Sequence, residues 1–481
     1  MGNLIAPAPH PPLCVDLDGT LIKTNTLHEY ILALIRTAPQ YVLLLPLWLI
    51  RGQAYLWNRL SQLVTINVAL LPYRNEVLEY LQREKHEGRE LILVSGASQS
   101  LVERVASHLN LFDHSLGSDA LTHLVAKKKL SVILERYGKK SFDYIGDSHA
   151  DLEVWQESRR AIIVSRDKYL VNELQKRADN LEHIEPAGGI WFKALLKAMR
   201  IHQWAKNLLV FAAIFLSHQF DEFTLVFDAM RGFAAFSLCG SAVYITNDLV
   251  DLEADRLHPK KRTRPFASGE LSPVIGVLAS IFLLLGAFAF ATSISPAFTA
   301  VLGVYLTLTF MYSFYFKEKL LVDVFVLATL YTLRVWAGGV SVNVAISHWA
   351  LAYFMCLFLS LALAKRHSEL SAAVDLQEGE SLTRRDYQPS DAPFVLSFGC
   401  VSSLMSVLVI AIYLTSPDVV SHYRRPSLLW FVCLTLAYWS SRLWIIAARG
   451  RLDEDPVLFT IKDRASYIAG IIIIAVVLLA I

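Results

Sequence analysis

The side chains whose spacing most directly implies chemistry here are carboxylates. In LCVDLDGT, Asp16 and Asp18 close an apolar run, and Gly19 and Thr20 turn the chain. Two carboxylates two residues apart leave a strand end on the same side, where turn amides can hold a phosphoryl group. One can attack phosphorus as a nucleophile. The other can protonate the leaving oxygen and later take a proton from water. ELILVSGAS then offers the Ser95 hydroxyl to a phosphate, Lys127, Lys128 and Lys129 form a basic cluster before a helix, and GDSHAD supplies Asp147 and Asp151 as oxygen ligands for Mg²⁺.

A second constellation begins at Asn247, in NDLVDLEADRLHPKKRTRPFASG. Asp248, Asp251 and Asp255 recur at i, i+3 and i+7, on one face of a helix. Three carboxylates on one face repel one another and call for a cation. Mg²⁺ bridged to a diphosphate is the natural ligand, since magnesium favours a few carboxylates plus phosphate oxygens. The following Lys260, Lys261, Arg262 and Arg264 can clamp the same anionic groups.

The elements that must carry these groups differ between the two halves of the chain. Up to about residue 185, the runs LCVDLDGT, ELILVSGAS, FDYIGDS and AIIVS read as buried parallel strands with helices between them, an α/β, Rossmann-like pattern. Residues 186–190, containing PAGG, read as a linker. From residue 191 to 481 apolar segments dominate, in a chain that is 54% hydrophobic and 18% charged. About nine of them are long enough for a bilayer of about 30 Å: 203–221, 229–249, 272–292, 296–315, 321–342, 347–365, 393–416, 427–447 and 464–481.

Lys and Arg cluster on one side of these spans, from Lys193, Lys197 and Arg200 through Lys260–Arg264, Lys317, Lys319, Lys365, Arg366, Arg384 and Arg385 to Arg449, Arg451, Lys462 and Arg464. The opposite side offers little beyond Arg424 and Arg425. The basic side, with the N-terminal half, is expected to be cytoplasmic, and an odd span count puts the C-terminus outside. No secretory signal is expected in residues 1–12. The net charge of +2 identifies no partner, and no nucleic acid is expected. Cys14, Cys239, Cys356, Cys400 and Cys433 lack metal-ligand spacing and read as buried thiols in a reducing compartment.

The four motifs of the first half, in this order, resemble the haloacid dehalogenase (HAD) phosphatase superfamily. The resemblance implies Asp16 as nucleophile, Asp18 as general acid/base, Ser95 as phosphate binder, and a magnesium site drawing on Asp16, Asp18, Asp147 and Asp151. It favours Lys129 within the lysine cluster as the charge-neutralising residue. The insertion at about residues 24–85 corresponds to that family's cap. It holds YVLLLPLWLIRGQAYLW, whose apolar stretch before Arg51 is too short to span a membrane. Two readings stand: a buried cap helix, or a segment that dips into the interface to receive a lipid-linked phosphate.

Residues 191–481 resemble the UbiA superfamily of intramembrane prenyltransferases, which implies nine transmembrane helices around a central cavity, with Mg²⁺ on Asp248, Asp251 and Asp255. HQWAKNLLVF, HPKKRTRP, YSFYFKEKLLVD, LRVWAGG, LALAKRHSEL and DPVLFTIKDR are similar to the decaprenyl-phosphate 5-phosphoribosyltransferase branch. There the donor is phosphoribosyl pyrophosphate and the acceptor polyprenyl phosphate. The superfamily's second DxxxD motif is reduced to Asp323, with Leu327 where the next acid falls. Lys206, Asn207, Asn247, Lys260, Arg262, Arg264, Lys317 and Lys319 are candidates for substrate contacts. Asp323 is a candidate for the ribose or a second metal, Arg334 for substrate or a structural ion pair, and Lys365, Arg366, Glu369, Arg385 and Tyr387 for a lid.

Together these features predict a bacterial inner-membrane enzyme that makes a phosphoribosylated lipid and then dephosphorylates it, for cell-envelope pentose. The rival is a prenyltransferase acting on an aromatic or lipid acceptor, with a HAD domain of separate role. A transporter is disfavoured, because the charged clusters lie at span ends and no repeat is visible.

Overall fold

The computed structural model describes residues 10–119, 124, 126–178, 180–189, 191–217, 221–375, 386–416, 419–420, 423–452 and 456–481. They form two compact units, Met1–Met199 with Ile245–Leu278, and Arg200–Tyr244 with Ala279–Ile481.

In the first unit, strands β1 (Leu13–Asp16), β2 (Leu91–Ser98), β3 (His114–Ser118), β4 (Asp143–Gly146), β5 (Arg160–Val164) and β6 (Leu181–Ile184) make one sheet in the order β3-β2-β1-β4-β5-β6. All neighbours are parallel. Period-2 alternation divides the strand side chains between two cores. Leu13, Val15, Leu91, Leu93, Ile145, Ile162 and Val164 join one core. Cys14, Ile92, Val94, Tyr144, Ala161 and Ile163 join the other. Both faces are therefore covered, which is why the central strands read as continuous apolar runs. β3 and β6, absent from the sequence reading, are the two edges of the sheet.

The strand order reverses between β1 and β4, where the chain leaves β1 for β2 on one side and returns to β4 on the other. Parallel α/β sheets bind ligands outside the carboxyl ends of the strands at this kind of reversal. Val15 pairs in register with Ile145, so Asp16 ends β1 level with Gly146, and Asp147 follows one residue beyond it. Between β1 and β2 the chain builds a helical cap from Thr26–Thr37, Pro39–Leu44, Leu45–Ile50, Gln53–Leu63 and Asn75–His86. Its Tyr30, Leu56, Trp57 and Leu60 share the core of Leu13 and Val15, and the Tyr30 and Trp57 rings meet edge to face at 5.6 Å.

Among the described residues, seven helices are long and apolar enough to cross a bilayer: Phe223–Val250, Pro273–Ile294, Pro296–Phe314, Val322–Ser341, His348–Ala372, Pro389–Leu414 and Pro426–Ala448. Arg464–Ala480 is apolar but shorter, and the stretch expected to open the set is a 3₁₀ helix, Ile201–Phe211, followed by Ala212–Ser217. Burial separates outer from inner helices. Only 22% of the apolar window of Pro273–Ile294 is buried, against 56% for Val322–Ser341, in which Asp323 and Arg334 are both buried.

The 3₁₀ segment packs against Val322–Ser341 because Gly338 has no side chain. A Cβ there would lie 2.1 Å from the Val210 carbonyl oxygen. That approach brings Asn207 to Arg334, whose Nε donates to the amide oxygen at 2.9 Å. Gly338→Ala is expected to push the segment away at a cost of about 1–3 kcal/mol. Thermal unfolding in detergent should show this as a lowered midpoint, and an unchanged midpoint would mean the segment is not held there.

Candidate active sites

The switch point of the sheet gathers the first group of carboxylates. Ligand oxygens of Asp16, Asp147 and Asp151 lie within 4.8 Å of one another, the only such metal-competent cluster among the described residues. Gly19 makes room for it: its φ is +76°, and a Cβ would sit 2.1 Å from an Asp147 carboxylate oxygen. The Lys129 ammonium donates to Asp16 Oδ1 at 2.6 Å and to the Tyr144 hydroxyl at 3.0 Å, and lies 3.6 Å from Asp151. Tyr144 in turn donates to Asp151 Oδ1 at 2.6 Å. Asp151 Oδ2 accepts from the Ser148 amide and hydroxyl at 3.2 and 3.1 Å. Lys127 and Lys128 are exposed, so within the lysine cluster only Lys129 reaches the carboxylates.

Asp18 is held apart from this cluster. Its carboxylate accepts from the Thr26 backbone N–H at 2.6 Å and the Thr26 hydroxyl at 3.0 Å. Ser95 is fully buried in β2 and accepts from the Ala97 amide at 3.1 Å, while its neighbour Gly96 lines the cavity above the carboxylates. That cavity measures about 520 Å³. Its floor is Asp16, Asp18, Lys129, Asp147 and Asp151, and its walls include Leu49, Leu56 and Trp57 from the cap and Ser272 from the 245–278 segment.

Burial pushes the Asp16 carboxyl up to about 7, against the pull of Lys129 and with the repulsion of Asp151 adding to it. Burial, then Asp16 and Asp151, raises Asp147 as well. Lys129 is burdened by burial, but Asp16 and Asp151 outweigh that and hold it firmly charged. Carboxylates gathered this closely, oxygen-only and short of positive charge, are a donor set that fits a hard divalent cation.

The second group is carried by the end of helix Phe223–Val250 and by helix Leu252–Leu257. The Asp251 amide donates to the Asn247 carbonyl and the Asp255 amide to the Asp251 carbonyl, both at 2.8 Å, so helical spacing runs through the junction. Asp248 and Asp255 are buried and share one guanidinium: Arg264 donates to them at 3.0 and 2.6 Å. Asn247 and Asp251 are half-buried, and Lys260 and Arg262 exposed. Sequence reasoning grouped Arg264 with its neighbours as a phosphate clamp, whereas the structure sets it apart as the counter-ion of the acids.

Arg256, next to Asp255, turns to the phosphatase-like domain. Its guanidinium donates to both oxygens of Glu29 at 2.7 and 2.9 Å, with side chains only 8% and 5% exposed. Glu29 also accepts from the Thr24 hydroxyl at 2.8 Å, and the Thr24 carbonyl accepts from the Gly19 amide at 3.2 Å. The loop that holds Asp18 is thus tied to the helix that carries Asp255. Neither Glu29 nor Arg256 was singled out from sequence: Glu29 belongs to no motif, Arg256 sits between the acids and the basic cluster of the second motif, and the two lie 227 residues apart.

Within the second unit, Asp323 is fully buried and bound by Arg366 and by the Tyr387 hydroxyl, the latter at 2.7 Å. Tyr387 also accepts from the amide of Leu321, whose φ is +60°. Arg366 and Tyr387 are 2% and 4% exposed, so they are the partners of a buried acid and not parts of a surface lid. A buried carboxylate demands a cation, and Arg366 meets that need. Arg366 also pairs with Glu369. Lys365 is half-buried, and Arg384 and Arg385 lie outside the described residues.

Arg334 bonds the Asn207 oxygen, the Leu330 carbonyl at 2.7 Å and the Tyr305 hydroxyl at 2.6 Å. Among the described residues no carboxylate lies within ion-pair distance of it. Arg334 and the buried Lys206 both face the Tyr331 ring, at 5.2 and 5.8 Å. Two buried cations thus share one aromatic ring. Lys317 is half-buried, and Lys319 is exposed beside Tyr315.

The architecture and these sites define a multi-pass membrane transferase with a hydrolase domain, and the chain belongs to the UbiA prenyltransferase family, whose profile matches residues 207–467. The profile of haloacid dehalogenase-like hydrolases matches residues 13–156. An uncharacterized protein of Sinorhizobium fredii, y4nM, is 36% identical over 98% of this chain and 91% of its own length. The nodulation protein NoeC of Azorhizobium caulinodans is 30% identical over 59% of this chain and 92% of its own. The decaprenyl-phosphate phosphoribosyltransferase of Mycobacterium tuberculosis is 28% identical over 59% of this chain and 92% of its own.

The Arg256–Glu29 pair yields a double test. Arg256→Met alone leaves a buried carboxylate unpaired and should cost about 3–5 kcal/mol, whereas adding Glu29→Leu should recover most of it. Unfolding midpoints of the two variants check this; equal losses would mean that the pair does not hold the loop.

Proposed function

We propose that the membrane domain transfers a 5-phosphoribosyl group from phosphoribosyl pyrophosphate to a polyprenyl phosphate, and that the N-terminal domain then removes the 5-phosphate. The observation that carries this reading is the tie from Asp255 through Arg256, Glu29 and Thr24 to the Asp18 loop, which joins a diphosphate motif to a phosphatase cluster in one compact unit. The similarity to decaprenyl-phosphate phosphoribosyltransferases of Mycobacterium tuberculosis and Corynebacterium glutamicum supports a phosphoribosyl group as the unit moved and a polyprenyl phosphate as its acceptor. The product of that transfer bears the phosphate monoester that a phosphatase consumes.

In the transfer, the bond from ribosyl C1 to pyrophosphate breaks and a phosphate oxygen of the lipid bonds to C1. The nucleophile is already ionised, so no general base is required. Asp16, Asp147 and Asp151 converge closely enough to hold Mg²⁺, which would neutralise charge on a phosphoryl group there. Asp248, Asp251 and Asp255 do not form such a cluster on their own, and two of them hold Arg264, so there Mg²⁺ would be held jointly by these acids and the diphosphate. Arg264 bridges Asp248 and Asp255, and we assign it to exchange between these acids and the diphosphate. Asn247, Lys260 and Arg262, with Lys206, Asn207, Lys317, Lys319, Arg334 and Lys365 of the membrane helices, are assigned to substrate phosphates. Asp323 and Arg366, bonded to each other, are assigned to positioning the two helices that carry Arg334 and Lys365.

In the second step an Asp16 oxygen attacks phosphorus and Asp18 protonates the departing ribosyl 5-oxygen. Water, giving its proton to Asp18, then releases inorganic phosphate and restores Asp16. Lys129 holds Asp16 in place, and Ser95 and Gly96 of β2 serve the phosphoryl oxygens.

We place the N-terminal domain on the cytoplasmic face of a bacterial inner membrane, with Ile201–Ser217 and Arg464–Ala480 completing nine crossings. The lipid-linked pentose would serve the cell envelope. Purified protein given Mg²⁺, ribose-labelled phosphoribosyl pyrophosphate and polyprenyl phosphate should move label into the lipid phase. Asp248→Ala should lower the rate by about 100-fold or more. Absence of transfer, with turnover of a prenyl diphosphate on an aromatic or lipid alcohol instead, would assign the rival prenyl transfer.

A further inference from the structure

The cap carries a face that no described residue of its own unit covers. Leu43 is 84% exposed, Leu47 57% and Ile50 82%, within an apolar stretch, Pro39–Ile50, too short to cross a bilayer. The stretch is nevertheless held in a defined conformation, because Trp48 is buried and stacks on Tyr41 at 6.4 Å. Leu49 is itself 54% exposed and also lines the phosphatase cavity, so the outer apolar face continues into the wall above Asp16. Next along the chain, Arg51 and Arg59 flank the Tyr55 ring at 5.4 and 5.8 Å, a basic and aromatic border to the apolar face.

The position of this face within its unit identifies what meets it. Arg36, three residues before Pro39, ion-pairs with Glu253, three residues beyond the end of the apolar helix Phe223–Val250. Leu249 at that helix end and Leu252, which opens the next helix, line a small cavity together with Leu32, Ile66 and Leu70 of the cap. The cap therefore adjoins the end of a helix long and apolar enough to cross a bilayer. Apolar side chains exposed at that level, bordered by arginines and a tyrosine, match the interfacial layer, where acyl chains meet anionic headgroups.

We infer that the Leu43–Ile50 face of the cap lies in the interfacial layer of the membrane this chain spans, and that the phosphatase cavity takes a lipid-borne phosphate monoester admitted along Leu49. The lipid chain stays in the bilayer, and only the headgroup crosses Leu49 to reach Asp16. The inference rests on the phosphatase reading of the N-terminal domain and deepens it by naming the physical state of the substrate.

The test uses the full chain in phosphatidylethanolamine–phosphatidylglycerol nanodiscs and two substrates, p-nitrophenyl phosphate in solution and polyprenyl phosphoribose 5-phosphate in the disc. The triple variant Leu43→Glu, Leu47→Glu, Ile50→Glu should lose at least about tenfold in kcat/KM on the lipid while keeping its rate on the soluble ester. Equal loss on both substrates, or no loss on either, overturns the inference. Wild-type protein active on the soluble ester alone also overturns it but leaves the phosphatase reading standing; activity on neither removes both. A nitroxide at Leu47→Cys, in a chain whose five native cysteines are replaced by serine, gives an independent readout. Collisions with oxygen should exceed those with an aqueous nickel chelate. A label shielded from both would mean that protein, a second copy or a partner, covers the face, and would equally overturn the inference.

Discussion

Carboxylates brought together out of water must be given positive charge, and each candidate site in this protein is organised around that demand. Asp16 and Asp151 share the ammonium of Lys129, Asp248 and Asp255 share the guanidinium of Arg264, and Asp323 takes Arg366. Lys129 reaches Asp16 from a helix that follows β3, because the parallel sheet sets the carboxyl ends of β1 and β4 side by side. Arg264 reaches its acids from the loop directly after them, a distance the chain spans without any help from tertiary structure. Arg334 is the converse case: a buried cation held by neutral oxygens and aromatic rings, which is why the proposed function assigns it to a substrate phosphate.

The segment Ile245–Leu278 gives the two chemistries a common support. It is covalently the connection between two long apolar helices, yet it packs as part of the phosphatase-like unit. Helix Leu252–Leu257 makes this possible, since neighbouring residues on a helix point about 100° apart. Asp255 turns to Arg264 and Arg256 turns to Glu29. A ligand that draws Arg264 from Asp255 therefore acts on a helix whose next residue is bonded to the loop around Asp18.

Residues that chemistry confines to strand ends were legible in the sequence, because an apolar run followed by an acid and a glycine has few other physical meanings. Asp16, Asp18, Asp147 and Asp151 follow such runs, and the central strands β1, β2, β4 and β5 were read from them. The edge strands β3 and β6, with the sequences HSLGS and LEHI, were not, because each is only partly covered and lacks an apolar run. The first apolar stretch of the membrane region looked continuous, but Lys206 and Asn207 turn inward from a 3₁₀ helix that Gly338 allows to approach. Partners far apart in the chain left no local trace. Asp323 and Arg366 are 43 residues apart and Glu29 and Arg256 are 227, and pairing across such distances is decided by packing.

The central claim is that one chain performs transfer and dephosphorylation in sequence. Phosphoribosyl pyrophosphate labelled with ³²P at the 5-phosphate and ¹⁴C in the ribose, supplied with polyprenyl phosphate and Mg²⁺, tests it in a single reaction. Wild-type protein should yield a lipid carrying ¹⁴C but little ³²P, with ³²P appearing as inorganic phosphate, whereas Asp16→Asn should yield lipid carrying both labels in equal proportion. Wild-type lipid that retains ³²P, or an Asp16→Asn variant that releases it as fast as wild type, would contradict the account.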